Sequence, residues 1–254
     1  MQPLVLFQFR FFLAAFILLL YSRIFEPWRL PDKKEWIQLA IFGFFNITLY
    51  LSLFVLAINE VAAGIGSLST SMSPLMMALL GGMFYNKKTN KTQILGLLLG
   101  IAGVWVAVIP LLGNNLATFK GIAFLFISIM SYSWAALYYS DKTWTLSRYA
   151  INGWQVLFGA IFLLPFTILL SEGDVTFSMT AMFSILWLVI PVSIISVNLW
   201  LRMLKIDPVK ASFFLFLSPI FGFVFATSIL GEPFTLYTLG GLTLVLCGLY
   251  LGQK

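Results

Sequence analysis

Long apolar runs, broken by short polar loops, set the plan of this chain. Windows of about 20 apolar residues, the length needed to cross a bilayer as helix, fall at 3–22, 36–58, 62–84, 93–113, 119–140, 150–170, 181–203, 209–230 and 235–252. This spacing predicts an all-α integral membrane bundle of nine spans. The loops divide sharply by charge. Those at 21–35, 85–92, 141–149 and 202–210 together hold twelve Lys and Arg, whereas the alternate loops hold only Lys120. Cytoplasmic loops are the basic ones, which puts the N-terminus of the chain as given outside and the C-terminus in the cytoplasm.

A second pattern lies on top of the first. Shifting the chain by 145 residues aligns 62–107 with 207–252 without a gap. Ser67 then falls on Ser212, Ser73 on Ser218, Pro74 on Pro219, Gly96 on Gly241 and Gly103 on Gly248. By the loop count the aligned spans cross in opposite senses, so Lys87 faces the cytoplasm and its counterpart Glu232 faces outward. Inverted repeats are a common construction of secondary transporters, with the binding site near the midplane where the halves meet. Duplication is also a simple way to build a bundle, and that alternative predicts no transport.

Composition sharpens the class. Charged residues make up 9% of the 254 and hydrophobic ones 61%, too greasy for a water-facing surface around one core. The net charge of +6 comes from loops beside spans and does not point to nucleic acid. With no His, and Cys247 the single cysteine, no metal site, disulfide framework or cofactor is expected. No mid-span acid is present: Glu60 and Asp207 sit at span ends. An enzyme in the bilayer would need a nucleophile with a base or a metal cluster, so none is expected. The charges of 3–22 follow its apolar stretch, unlike those of a cleaved leader.

The paired Ser-Pro spans are each followed by a short hairpin and a glycine-spaced span, "GLLLGIAG" and "GGLTLVLCG". With "PLVLFQFRFFLAAFILLL" near the start and "LGEPFTLYTLGGLTLVLCGLYLG" near the end, they resemble the EamA-type branch of the drug/metabolite transporter superfamily. The resemblance covers essentially the whole chain. It implies ten spans in two five-helix inverted repeats, cytoplasmic termini, a multi-pass position in the plasma (inner) membrane, and export of amino-acid-like or drug-like metabolites. Here the repeats would be 1–113 with four spans and 114–254 with five. The partner of 119–140, the family's first span, is missing, either because the start lies too late or because the nine-span form is natural. A non-transporting membrane partner or a lipid flippase subunit is the alternative function.

Candidate substrate contacts follow from polar groups inside spans. Arg10 lies about seven residues into the first span, roughly 10 Å deep at 1.5 Å per residue, where a charge is costly unless paired, snorkelling or wet. Asn46 and Tyr50 share a helix face, as do Asn198 and Arg202, and Trp134 and Tyr138. Arg202, close to the cytoplasmic end, is expected to snorkel. In "SLSTSMSP" Ser69 and Ser73 precede Pro74, and Ser218 precedes Pro219; both prolines are expected to kink their helices. These hydroxyls either bond their own backbone or line a central cavity. Glycines 96, 100, 103, 240, 241 and 248 let helices approach closely, within the bundle or in a homodimer. The expected partners are thus a small-molecule substrate and the lipid bilayer.

Overall fold

A computed structural model describes residues 3–61, 69–86, 89–108, 118–170, 178–218, 221 and 236–252. The described chain is almost wholly helical, in this order: α1 (Pro3–Phe25), α2 (Lys33–Gly43), a π-helical segment (Phe44–Leu49), α3 (Tyr50–Ile58), α4 (Ser73–Phe84), α5 (Lys91–Val108), α6 (Phe119–Asp141), α7 (Arg148–Leu170), α8 (Met179–Trp187), a second π-helical segment (Leu188–Ser196), α9 (Val197–Ile206), α10 (Pro208–Ser212), a 3-10 turn (Phe213–Phe216) and α11 (Leu236–Gly252). Five described stretches are long and apolar enough to cross a membrane: Leu4–Phe25, Lys33–Ile58, Phe119–Asp141, Arg148–Leu170 and Met179–Ile206. Shorter apolar helices lie at Ser73–Phe84, Lys91–Gly103 and Leu239–Gly252.

The 145-residue register runs further than the loops suggested. Shifted by 145, the bounds of α1 (3–25) become those of α7 (148–170). The first π segment, 44–49, becomes 189–194, inside the second, 188–196. Burial follows the same register. Ala15 and Ala160 are buried at equivalent positions, as are Leu18 and Leu163.

Contacts gather the described chain into two compact units, one of residues 1–55 and 138–206, the other of 56–137 and 207–254. Each unit draws on both sequence halves, so the compact units and the repeats are different divisions of the chain. In the first unit α1 packs along α7, α2 and the first π segment lie on α7, and the second π segment lies on α1. The repeats therefore interlock: α1 and its register counterpart α7 each carry the span that follows the other. The core there joins Phe11, Ala14 and Ala15 of α1 to Ile47, Leu51, Val156, Ala160, Leu163 and Val189.

Two close approaches make this packing possible. A Cβ at Gly43 would lie 2.4 Å from the Gln155 carbonyl oxygen and 2.9 Å from the Gly159 nitrogen, so only glycine lets α2 meet α7 backbone to backbone. In the second unit α5 and α11 cross in the same way. A Cβ at Gly96 would meet the Gly248 carbonyl at 2.7 Å, and one at Gly248 would meet that of Gly96 at 2.6 Å. Gly100 instead faces the Phe216 ring, and Gly240 has nothing within 4 Å.

Pro74 stands in the first turn of α4, after a turn at 71–72, where a missing N–H is tolerated. Pro219 lies outside the described residues, as do Ser67, Lys87 and Glu232. Prolines inside helical segments occur instead at Pro165 in α7 and Pro191 in the second π segment. At a loop of the first unit, Asp32 and Glu35 form a reciprocal capping box at the start of α2. Glu35 also receives hydrogen bonds from Arg29 at 2.6 Å and Thr145 at 2.7 Å. In the second unit Glu60 accepts from the Thr118 hydroxyl at 2.9 Å and Lys120 at 3.2 Å.

Gly43→Leu should lower stability by about 1–3 kcal/mol or more, read as thermal unfolding of the detergent-solubilised protein, while Gly240→Leu should leave the midpoint nearly unchanged. The Thr118 hydrogen bond, then Lys120, holds the Glu60 carboxyl below its ordinary value. A lowered value means that the tie is complete above the usual carboxylate range and is lost as pH falls through it. Protection of the Thr118 amide, which donates to the Glu60 carbonyl at 3.1 Å, should therefore drop in acid, and Glu60→Gln should remove that pH dependence.

Candidate functional site in the first unit

The polar residues of the first unit form a chain. Asn46 Nδ2, in the first π segment, donates to Gln155 Oε1 at 3.1 Å. Gln155 Nε2 donates to Asn152 Oδ1 at 3.0 Å, one turn along α7. Asn152 Nδ2 donates to the Ser193 carbonyl at 3.0 Å, in the second π segment. On the other side of the same residue, Arg10 Nε of α1 donates to Ser193 Oγ at 2.9 Å. Five side chains from four helical segments and both repeats are thereby joined through Ser193.

The local backbone explains the meeting. A π segment carries an i→i+5 bond and so an extra residue per turn, a feature that recurs at functional sites. It breaks the regular stripe of a helix and turns a polar side chain toward a neighbour. Pro191, which has no N–H to give, helps relax the second segment; its own carbonyl accepts from Ser196 Oγ at 2.8 Å. The register pairs Arg10 with Gln155 and Thr48 with Ser193. In each repeat, then, the register-matched helix, α1 or α7, presents a long polar side chain to a π segment of the other repeat.

Burial makes these bonds matter. Gln155, Asn152 and Ser193 are all buried; unpaired, their polar atoms would face hydrocarbon, where no water compensates. Adjacent pairs finish the seam between α1 and α7. Gln8 Nε2 donates to the Ala160 carbonyl at 2.9 Å, while its Oε1 accepts from Thr167 at 3.1 Å. Thr48 Oγ1 donates to the Gly159 carbonyl at 3.0 Å. Arg10 is half-buried, with its guanidinium carbon 5.8 Å from the Phe7 ring centre and 5.2 Å from that of Phe11. Tyr50 packs against the core cluster that contains Phe11.

Of the residues singled out by sequence, Arg10, Asn46 and Tyr50 lie in or beside this chain. Asn198 is in the same unit and buried; its Nδ2 donates to the Ile194 carbonyl one turn earlier at 2.7 Å, and its Oδ1 has no partner among the described residues. Ser69, Ser73, Trp134 and Ser218 belong to the second unit. There Ser69 and Ser73 are buried, Trp134 is half-buried and Ser218 is exposed. Gln155, Asn152, Ser193, Gln8 and Thr48 escaped sequence reasoning. Carrying the 145-residue register back to Arg10 would have found Gln155. Among the described residues no His, Cys, Asp and Glu cluster is arranged to hold a metal.

An all-helical membrane protein whose first unit joins helices of both repeats along a polar seam is of the fold class of multi-pass transport proteins. Residues 1–109 and 119–252 match the EamA-like transporter family. A protein named as an uncharacterized transporter of Archaeoglobus fulgidus is 27% identical over 99% of this chain and 88% of its own length. A probable amino-acid metabolite efflux pump of Salmonella typhimurium is 25% identical over 99% of this chain and 85% of its own. A solved crystal structure superposes with a TM-score of 0.82 at 16% identity, over 99% of this chain and 89% of that one, a likeness of fold. The chain belongs to the EamA-like transporter family.

Gln155→Leu should orphan both Asn46 Nδ2 and Asn152 Oδ1 and lower stability by about 1–3 kcal/mol. Ser196→Ala, at an exposed hydroxyl bonded only within its own segment, should cost less than about 0.5 kcal/mol. Paired thermal unfolding curves of the two variants check the difference.

Proposed function

We propose that the chain is a secondary carrier that moves small organic metabolites, amino-acid-like or drug-like, out across the cytoplasmic membrane by alternating access between inverted repeats. One observation carries this reading: a polar chain deep in apolar helices that takes members from both repeats. Intramembrane polar and charged groups are retained where they serve a pathway. A seam shared by two repeats is also where one arrangement is exchanged for its mirror counterpart. The Salmonella relative named as a probable amino-acid metabolite efflux pump supports the substrate size and the outward direction. The twelve-to-one bias of Lys and Arg among the loops supports a cytoplasmic C-terminus.

The driving force follows from the sequence. Proton-coupled carriers titrate an acid or His within a span, and here the acids stand at span ends. The reading is therefore a facilitator or a substrate exchanger. In proteoliposomes holding the purified chain, a preloaded amino acid or related metabolite should drive counterflow of its labelled form, and a protonophore should leave that flux unchanged. Flux absent for the whole panel, in protein shown to be folded, would overturn the carrier reading.

A further inference from the structure

Arg10 carries a positive charge about 10 Å inside an apolar helix, and its partners there are neutral. Nε is satisfied by Ser193 Oγ, and two phenyl rings flank the guanidinium. The terminal nitrogens make no hydrogen bond among the described residues. A guanidinium has five N–H donors in a rigid fork, so most of its capacity is unspent. The ion pairs among the described residues, Arg29–Glu35, Lys120–Glu60 and Lys142–Asp141, involve other cations, and the spans offer no mid-helix acid to offset Arg10.

The surroundings hold Arg10 in place rather than neutralise it. Ser193 is buried, and its carbonyl is already engaged by Asn152, so the residue that anchors Nε is itself fixed. Gln155 and Asn46 extend the bracing to the first π segment. The result is a cation positioned by a neutral network, with its fork open. A bound carboxylate would supply both the missing charge and two acceptors matched to that fork. The neighbouring phenyl rings would favour an apolar body on the carboxylate. A free ammonium at the same place would meet an uncompensated positive charge.

We infer that the substrate is a net organic anion, a carboxylate joined to an apolar body, and that Arg10 binds its carboxylate through the terminal guanidinium nitrogens left free by Ser193. This deepens the carrier reading and rests on it for transport, although the anion site is tested by binding alone. The probes are four phenyl compounds of nearly equal size: phenyllactate (anion), phenylalanine (zwitterion), phenylacetamide (neutral) and phenethylamine (cation).

The purified full chain is placed in phosphatidylcholine nanodiscs, and binding is followed by tryptophan fluorescence. Phenyllactate is expected to bind at least about tenfold more tightly than the other three. Arg10→Gln should weaken it at least about tenfold, as the loss of a charge-assisted bidentate contact requires, and Arg10→Lys should recover only part of that loss. Unfolding curves of both variants ensure that the comparison is between folded proteins. Equal or tighter binding of any other probe, no binding of phenyllactate, or an unaltered Arg10→Gln protein would each overturn the inference. So would loss of phenyllactate binding when phosphatidylglycerol is added, since a lipid phosphate would then be the occupant. Parallel flux measurements keep the two readings apart. Arg10-dependent phenyllactate binding without flux would sink the carrier and leave the anion site. Flux of phenylacetamide or phenethylamine that survives Arg10→Gln would do the reverse.

Discussion

Hydrocarbon offers no hydrogen bonds, so a polar side chain inside a membrane helix must find its partner within the protein. In the first unit much of that requirement is met by one connected chain, Asn46 to Gln155 to Asn152 to Ser193, with Arg10 closing on the same serine through Nε. The rest of the unit is arranged so that this chain can form. Glycines at 43 and 159 bring α2 against α7. Two π segments turn Asn46, Thr48 and Ser193 toward α1 and α7. Small residues at 14, 15 and 160 keep the seam narrow.

The pairing also shows how a duplicated chain becomes one machine. Had each repeat bonded only to itself, the halves would be separable bundles. Here α1 and its register counterpart α7 are each tied to a π segment of the other repeat, and the two ties differ in chemistry. Arg10 meets Ser193 in one case, and Gln155 meets Asn46 in the other. One repeat has kept a charge where the other has a neutral amide. The seam thus joins equivalent helices of the two repeats but differs in its electrostatics on the two sides.

Much of the fold was legible along the chain because hydrophobic length is a one-dimensional signal. The apolar windows at 3–22, 119–140 and 150–170 correspond to α1, α6 and α7 within a few residues. Helix irregularity was less legible. The windows 36–58 and 181–203 read as uniform spans, yet each contains a π segment, because one extra residue in a turn leaves composition unchanged. Pro74, which a span running 62–84 places in mid-helix, stands in the first turn of α4, and Pro191 lies inside a π segment instead.

Arg10 stood out at once, since a charge among phenylalanines is conspicuous in any reading. Its partners did not: asparagines, glutamines and serines occur in many membrane helices for local reasons. Sequence alone determined the class of protein, its apolar runs and the duplication, because each of these is written in local composition or in a fixed offset. Only the tertiary structure decided that residues 183 and 109 positions apart would bond. That choice depends on where four helices cross and on how a single extra residue rotates a polar group toward its neighbour.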